Sequence, residues 1–496
     1  MEATATKTEA GTAGTGGAQS WVDRLWSSIL ERAGFGSGGD ARAEAPPDGA
    51  TGEAAAAVTA LPPLERTKRL AEALLSERGE ASGAAVAREL LTATRELDAA
   101  GRAELYRFLA GNFGPEPARL RAAAEAWLAA PTADHAGRLA DAAEPPRQEL
   151  LRRMNMTLGG TAALVAVRRE VLGRLRGEPV LKPLDSDLKH LLGSWFNRGF
   201  LELRRIDWQT PAAVLEKLIE YEAVHEIQGW ADLRRRLAAD RRCFGFFHPA
   251  LPGEPLIFVE VALVEGLASA VQPLLARDEA CEDIAGRCAA RADTAIFYSI
   301  SNCQEGLRGI SFGNFLIKQV VEELKHELPR LQRFATLSPV PAFRRWLDAR
   351  LASADTAAAA DLLRAEERTP VLAGAGDGAV DALTAVLRSD RWWDDPDRAQ
   401  ALRAPLTRLC AEYLTAANGG RGPRDPVARF HLGNGARLER INWLGNTAPR
   451  GIQESFGVMV NYLYDLDSIE ANHEAFVRNG TVARSGQVEA LLAPPH

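Results

Sequence analysis

The stretch that decides the fold of this chain is residues 294–341. It opens with Thr294-Ala-Ile-Phe-Tyr-Ser-Ile300, passes through Arg308-Gly-Ile-Ser-Phe-Gly-Asn314, and closes with Arg333-Phe-Ala-Thr-Leu-Ser-Pro-Val-Pro341. The first and last segments are short apolar runs that predict strands. Between them, five apolar residues share one helical face: Leu316, Ile317, Val320, Val321 and Leu324. The stretch therefore predicts a strand, a glycine-bearing loop, a helix and a second strand.

The loop carries glycines at positions 306, 309 and 313, where bare backbone can approach a ligand closely. A helix that begins near Gly313 would point its unpaired first-turn amides into the loop, where they could hold a phosphate group. The spacing is neither a dinucleotide fingerprint nor a Walker loop. From spacing alone, a plain tight turn is an equally good interpretation.

Composition limits the kinds of function. The chain has 496 residues, enough for two or three domains, and its 46% hydrophobic and 25% charged residues are ordinary for a globular protein. A net charge of -7 argues against a nucleic-acid partner. The five cysteines contain no C-x-x-C pair, which predicts free thiols, a reducing compartment and no metal site. No apolar run reaches the roughly twenty residues of a membrane span and no signal peptide is recognisable, so we expect a cytoplasmic protein.

The first part of the chain divides into two regions. Residues 1–60 are of low complexity and are predicted to be largely disordered, apart from an amphipathic helix at 20–32. That helix fits either a partner or membrane surface, or docking on its own chain or a sister chain. Residues 61–187 place their apolar side chains at helical spacing between prolines, which predicts a helical bundle. Because the bundle shows no chemical motif, we interpret it as a homo-oligomerisation domain.

Residues 188–496 change in character. Apolar strand patterns at 243–247, 256–264 and 293–300 recur near the C-terminus at 438–444 and 456–463, and an alanine- and arginine-rich helical insertion occupies 343–418. The fold class we predict is α+β, with an N-terminal all-α bundle followed by a mixed β-sheet domain covered by helices.

Two resemblances sharpen this picture. The loop at 308–313 resembles the pyrophosphate loop of the acetyltransferase (GNAT-type) superfamily, which binds coenzyme A across a splayed strand pair, although Ser311 stands where that pattern has glycine. A larger set of motifs, in order along 188–492, resembles the malonyl-CoA decarboxylase family: His248-Pro-Ala-Leu-Pro-Gly-Glu254, Phe297-Tyr-Ser-Ile-Ser301, Arg308 to Lys318, Thr336-Leu-Ser338-Pro-Val-Pro341, His431-Leu-Gly-Asn-Gly435, Arg440-Ile-Asn-Trp443 and Val460-Asn-Tyr-Leu-Tyr464.

This resemblance implies roles for individual residues. Ser338 matches the family's catalytic serine, His431 its catalytic histidine, and Tyr464 a tyrosine that lines the site. The residues that match the loop holding malonyl-CoA are Arg308, Gly309, Ile310, Ser311, Phe312, Gly313, Asn314 and Ile317. Animal members carry an active-site glutamate at the position of Ser311, so the role of Ser311 here is open.

The implied activity is decarboxylation of malonyl-CoA to acetyl-CoA and carbon dioxide, in fatty acid or malonate metabolism. The thioester itself accepts the electron pair as an enolate, so we expect no cofactor. Two alternatives stay open: a coenzyme A-dependent N-acyltransferase of the GNAT type, and a non-catalytic protein that binds coenzyme A esters.

Overall fold

The computed structural model describes residues 61–493, apart from 77–79, 277–281, 311–315, 354–361, 365–366, 369–378 and 417–421. The predicted helix at 20–32 and the loop residues Ser311, Phe312, Gly313 and Asn314 therefore lie outside the described residues.

The chain divides into two compact units. The first extends to Phe196 and includes the separate segment Glu305–Ile310, while the second comprises Asn197–Gln304 and everything from Ser311 onward. The helical domain was predicted to end at residue 187, whereas a helix at Lys182–Trp195 continues through that position. The internal segment 305–310 was expected to be part of the catalytic domain, and the structure instead assigns it to the helical unit.

The first unit is helical because its leucines recur at three- and four-residue spacing and pack inward. Its described helices are α1 (Pro63–Ser76), α2 (Glu80–Glu96), α3 (Ala99–Asn112), α4 (Pro117–Ala129), α5 (Ala133–Ala143), α6 (Pro146–Asn155), α7 (Gly160–Arg174) and α8 (Lys182–Trp195). A buried Arg147 crosses the unit, donating to Asp187 at 2.7 Å and to the carbonyl oxygen of Ala110 at 2.9 Å.

The second unit contains a mixed sheet. Its strands are β1 (Glu202–Ile206), β2 (Arg241–Phe247), β3 (Pro255–Val264), β4 (Thr294–Asn302), β5 (Arg333–Thr336), β6 (Ser338–Pro339), β7 (Arg437–Asn442) and β8 (Met459–Leu463). They are ordered β1-β2-β3-β4-β5-β8-β6, and β7 also pairs with β8. The β4–β5 pair is parallel, and the other pairs between these strands are antiparallel.

Helices cover this sheet, as the apolar strand runs predicted. Nine of the ten residues of β3 are buried, which requires cover on both faces. For example, Leu215 and Leu218 of α9 belong to the same apolar cluster as Phe258 of β3. The helices are α9 (Ala212–Tyr221), α10 (Trp230–Arg236), α11 (Gln272–Leu275), α12 (Glu282–Arg291), α13 (Leu316–Glu327), α14 (Phe343–Ser353), α15 (Ala379–Arg388), α16 (Pro396–Thr415), α17 (Pro426–Gly433), α18 (Pro449–Ser455), α19 (Ile469–Asn479) and α20 (Gly486–Leu492).

The centre of the sheet opens. The parallel pairing of β4 with β5 runs from Thr294↔Arg333 to Phe297↔Thr336, after which β4 continues to Asn302 paired with β3 while β6 pairs with β8. Strands β4 and β6 therefore separate at Ser338, the first residue of β6. This separation agrees with the splayed strand pair that the resemblance implies, and the predicted α+β arrangement of a helical N-terminal region and a helix-covered mixed sheet is confirmed.

Candidate active site

Ser338 occupies the start of a strand that is only two residues long. Because Pro339 has no N–H to donate to a ladder, β6 cannot continue far. Thr336, two residues earlier, lies at the gap between the β5 and β6 pairings, where its hydroxyl oxygen accepts from the backbone N–H of Tyr462 at 3.2 Å. The side chain of Asn461 donates to the carbonyl oxygen of Thr336 at 2.7 Å. These contacts hold the backbone on which Ser338 stands.

His431 lies in the last turn of α17. The helix begins with a strong cap, because the buried Asp425 accepts from the backbone N–H groups of Val427 at 2.9 Å and Ala428 at 3.0 Å, and Pro426 occupies the first helical position. The glycine-rich sequence at 430–436 is typical of a turn, whereas the helix continues through Gly433 and the turn begins only after it. A helical scaffold orients His431 more rigidly than a loop would.

A chain of hydrogen bonds joins four side chains in the interior. Ser338 Oγ is 3.0 Å from His431 Nε2, and His431 Nδ1 is 2.8 Å from the hydroxyl of Tyr464. Ser338 donates its own proton to Thr336 Oγ1 at 2.8 Å. Since a serine hydroxyl has a single proton, His431 must donate its Nε2–H to Ser338, and Nδ1 must accept from Tyr464. This count of donors assigns the Nε2–H tautomer to His431.

Burial keeps the four hydrogen-bonded side chains uncharged. His431 is 3% exposed, and desolvation lowers its pKa from 6.5 to about 3. The phenol of Tyr464 is also buried, which raises its pKa above the ordinary value of 10. The ring of Tyr462 stacks on the imidazole with centroids 4.7 Å apart. At neutral pH the site therefore contains a neutral imidazole held from three sides.

Ser338 and His431 both border a cavity of about 250 Å³ in the second unit. It occupies the region where β4 and β6 separate. Among the described residues, Tyr464 does not line this cavity and reaches it only through His431. As far as the described residues go, the lining carries no Lys, Arg, Asp or Glu; it consists of Val224, Ile257, Phe297, Tyr298, Ser299, Ile300, Asn302, Leu337, Ser338, Pro339, Pro426, Val427, Phe430 and His431.

A second polar group lies behind the part of the cavity wall that β4 forms. Ser299 on β4 donates to the buried carboxylate of Glu222 at 2.7 Å, and that carboxylate also accepts the backbone N–H groups of Val224 and His225, each at 2.7 Å. These bonds fix the segment that carries Val224 against β4. Ser299, Glu222, Thr336 and Tyr462 were not predicted as site residues. For Thr336 and Tyr462 a signal existed, because each lies two residues from an identified residue and so shares a strand face with it.

The predicted coenzyme A loop is only partly described. Arg308, Gly309 and Ile310 belong to the helical unit, where Gly309 has a φ of +76° that favours glycine. Ile317 is buried in α13 as a core residue. Ser311, Phe312, Gly313 and Asn314 lie outside the described residues.

Gly306 has a structural reason to be glycine. A Cβ added there would lie 2.1 Å from the carbonyl oxygen of Val165 on α7. The missing side chain therefore permits close packing within the helical unit, rather than the approach of a ligand that the sequence analysis expected.

A buried hydroxyl–imidazole pair that opens onto a cavity between separated strands defines the chain as an α+β enzyme. The chain belongs to the malonyl-CoA decarboxylase family: the malonyl-CoA decarboxylase C-terminal domain matches residues 199–496, and the N-terminal domain matches residues 113–196.

Individual relatives agree. The chain is 38% identical over 405 residues to the mitochondrial malonyl-CoA decarboxylase of Anser anser anser, covering 79% of this chain and 80% of the relative, and 35% identical over 409 residues to that of Rattus norvegicus, covering 80% and 82%. Crystal structures of malonyl-CoA decarboxylases from Rhodopseudomonas palustris (50% identity, TM-score 0.77) and Agrobacterium vitis (47%, 0.76) each cover 86% of this chain, and 99% and 100% of their own.

Proposed function

We propose that this protein decarboxylates malonyl-CoA to acetyl-CoA and carbon dioxide, with the reaction taking place in the cavity beside Ser338 and His431. The observation that carries the proposal is a cavity wall that combines a neutral hydroxyl–imidazole pair with no charged side chain among its described residues. Membership of the family agrees with this substrate.

An uncharged cavity suits this reaction. The carboxylate of the substrate loses its hydration in such a cavity and gains no cationic partner, which costs free energy. Its departure as neutral carbon dioxide removes this desolvation cost. As the bond to the carboxylate breaks, its electron pair becomes an enolate whose charge lies largely on the thioester oxygen. Donors that are already in place can stabilise this oxygen, and one such donor is typically worth about 3 kcal/mol of barrier.

The neutral state of His431 decides the division of roles. With a pKa of about 3 it is not an imidazolium at neutral pH, so it acts through its single Nε2–H. His431 donates that proton to Ser338 Oγ. The hydroxyl proton of Ser338, which points to Thr336 in this structure, is the one that can turn toward a substrate oxygen. Ser338 and His431 thus form the donor pair, and Tyr464 positions His431 by donating to Nδ1.

The reaction also needs a proton. The enolate carbon takes one proton to become the methyl group of acetyl-CoA, and the net reaction consumes one proton from solvent. We propose that Ser338 delivers its hydroxyl proton to the enolate carbon, that His431 Nε2–H stabilises the serine oxygen by its hydrogen bond, and that the proton taken from solvent restores the serine hydroxyl, since Ser338 and His431 meet at the cavity wall.

The rest of the substrate needs a separate site. We propose that residues 308–314, together with Ile317, hold the coenzyme A portion, on the strength of their match to the family's loop. Ser311 stands in this loop in place of the glutamate of animal members.

Incubation of the purified protein with malonyl-CoA alone tests the activity. Decarboxylation forms acetyl-CoA and carbon dioxide in equal amounts without an acceptor, with methylmalonyl-CoA as the comparison substrate. An N-acyltransferase would leave malonyl-CoA unchanged until an amine is added, and a non-catalytic binding protein would leave it intact throughout. Either of these results would refute the proposal.

We also propose that the helical unit mediates self-association. Within the described single chain, none of the thirteen residues of α4 is buried, and Leu128 is 74% exposed next to the partly exposed Trp127. Replacing Leu128 with glutamate should lower the mass measured by light scattering if α4 lies in an interface between subunits, and an unchanged mass would exclude α4 from it.

The cytoplasmic location remains a prediction. The animal relatives are named as mitochondrial proteins, and none of the described helices is both long and apolar enough to cross a membrane. Fractionation of the native host cells would test it.

A further inference from the structure

A buried carboxylate behind the cavity wall has no part in the chemistry described above. Glu222 is 7% exposed and accepts the hydroxyl proton of Ser299 at 2.7 Å. It also accepts the backbone N–H groups of Val224 and His225, each at 2.7 Å. These residues all belong to the second unit, and Val224 and Ser299 line the cavity. A single layer of residues therefore separates the Glu222 carboxylate from the cavity.

The position of this carboxylate is unfavourable for the stability of the fold. Glu222 forms the C-terminal cap of α9, where the partial negative charge of the helix end disfavours an acidic side chain. Within the described part of the chain, no lysine or arginine forms an ion pair with it. The two arginines that donate to backbone carbonyls of the segment 223–225 pair with other carboxylates: Arg236 with Glu260 at 2.6 Å and Arg450 with Glu454 at 2.8 Å.

The charge of Glu222 acts on other groups in the interior. Glu260 lies directly opposite Ser299 in the pairing of β3 with β4. Burial raises the pKa of Glu260 and the nearby Glu222 carboxylate raises it further, although Arg236 acts in the opposite direction. A charge that perturbs one carboxyl group across a strand pair also acts on a carboxylate of a substrate bound in the adjoining cavity.

The strand register places this negative side of the cavity opposite Ser338. Phe297↔Thr336 is the last parallel pair between β4 and β5, and Ser299 and Ser338 each follow it by two residues. They therefore occupy equivalent positions on the two chain segments that separate around the cavity. Ser299 uses its proton in the bond to Glu222 and has none to offer a substrate carboxylate, whereas the Ser338 proton can turn toward a thioester oxygen.

We infer that the charge of Glu222, acting through the wall that Ser299 forms, repels the carboxylate of the bound malonyl group and so raises the free energy of the ground state. When the bond between the carboxylate carbon and the α-carbon breaks, its electron pair moves to the thioester oxygen on the Ser338 side, and carbon dioxide leaves uncharged. The repulsion is therefore relieved in the transition state. Glu222 is a positioning residue in this scheme, and the inference rests on the proposed function because it requires a malonyl thioester.

The test removes the charge and keeps the shape. Glu222→Gln should lower both the KM for malonyl-CoA and kcat, by about tenfold each, and should leave kcat/KM within about threefold, because the ground state loses its repulsion and the transition state changes little. A purely structural role would instead raise KM. Acetyl-CoA, which lacks the carboxylate, should inhibit the wild type and the variant equally, and Glu222→Asp, which keeps the charge, should not lower KM.

The matched control is Glu367→Gln. It removes another buried carboxylate of the same unit, one that bonds Arg408 at 2.6 Å and does not line the cavity. This variant should change neither KM nor kcat for malonyl-CoA.

The wild type supplies a second test that does not depend on the folding of a variant. Malonamyl-CoA, in which a carboxamide replaces the carboxylate, escapes the repulsion and should bind about tenfold more tightly than malonyl-CoA when both are measured by calorimetry. Equal or weaker binding of the carboxamide would overturn the inference, as would a folded Glu222→Gln enzyme with an unchanged or higher KM. A wild type that binds malonyl-CoA without forming acetyl-CoA would refute the proposed function itself, which the calorimetric comparison distinguishes from failure of the inference.

Discussion

Replacing Ser338 with alanine removes the hydroxyl that links the cavity to His431. The variant loses two hydrogen bonds of Ser338 Oγ: the one that it donates to Thr336 Oγ1 at 2.8 Å and the one that it accepts from His431 Nε2 at 3.0 Å. The loss of one preorganised donor from a dry site raises the barrier by about 3 kcal/mol, so kcat should fall roughly a hundredfold. The KM for malonyl-CoA should stay within about threefold, because the lost contact is made mainly in the transition state.

The same change also affects stability, and the assay must separate the two effects. Leaving the Nε2–H of His431 buried without an acceptor costs about 1–3 kcal/mol. Initial rates of acetyl-CoA formation are therefore measured well below the unfolding temperature of the variant. Ser455→Ala is the matched control, because Ser455 is buried in the same unit, donates to backbone carbonyls and does not line the cavity. A folded Ser338→Ala enzyme with nearly wild-type kcat would refute the proposed role.

Three further predictions concern the same elements. Tyr464→Phe should lower kcat about tenfold, since the loss of a hydrogen bond costs about 1 kcal/mol or more, and should shift His431 toward the Nδ1–H tautomer; unchanged nitrogen-15 shifts would contradict this. Burial lowers the pKa of His431 from 6.5 to about 3 and that of His225 from 6.5 to about 4. Below pH 6.5 the unfolded chain therefore binds more protons than the folded protein, so the free energy of unfolding is highest above pH 6.5 and falls as the pH is lowered toward the two folded-state pKa values. The loss is about 1.4 kcal/mol per pH unit for each histidine. Urea unfolding between pH 5 and 7.5 checks the slope, which should be smaller in a His431→Asn variant. Gly306→Ala should lower the melting temperature through about 3 kcal/mol of overpacking against the Val165 carbonyl, and normal stability would show that α7 can shift.

Much of the fold is predictable from local patterns. The strand expected at 256–264 is observed as Pro255–Val264, and the helix expected from the apolar residues between Leu316 and Leu324 is described over Leu316–Glu327. Both succeed because the apolar period is set by the geometry of a single element. The strand Glu202–Ile206 was not predicted, because it is a charged edge strand in which only Ile206 is buried, so its sequence lacks alternation.

The residues of the candidate active site are predictable from the sequence, but their arrangement is not. The chemical identity of Ser338, His431 and Tyr464 is available from their motifs, yet no local pattern places a serine beside a histidine 93 residues later. Only the pairing of β6 with β8 and the packing of α17 bring them together. Likewise, the pKa of His431 depends on complete burial, which the glycine-rich segment that follows it in the sequence does not indicate.

By itself, the sequence determined the long apolar strands and helices, the division into a helical part and a sheet part, and the family, because these depend on residue types at short spacing. The tertiary structure alone decided that β4 and β6 separate around a cavity and that His431 is neutral. It also decided that residues 305–310 belong to the helical unit, where Arg168 donates to the carbonyl oxygens of Gly306 and Arg308. These features depend on contacts between distant segments and on the exclusion of water, and neither is encoded in the period of any one segment.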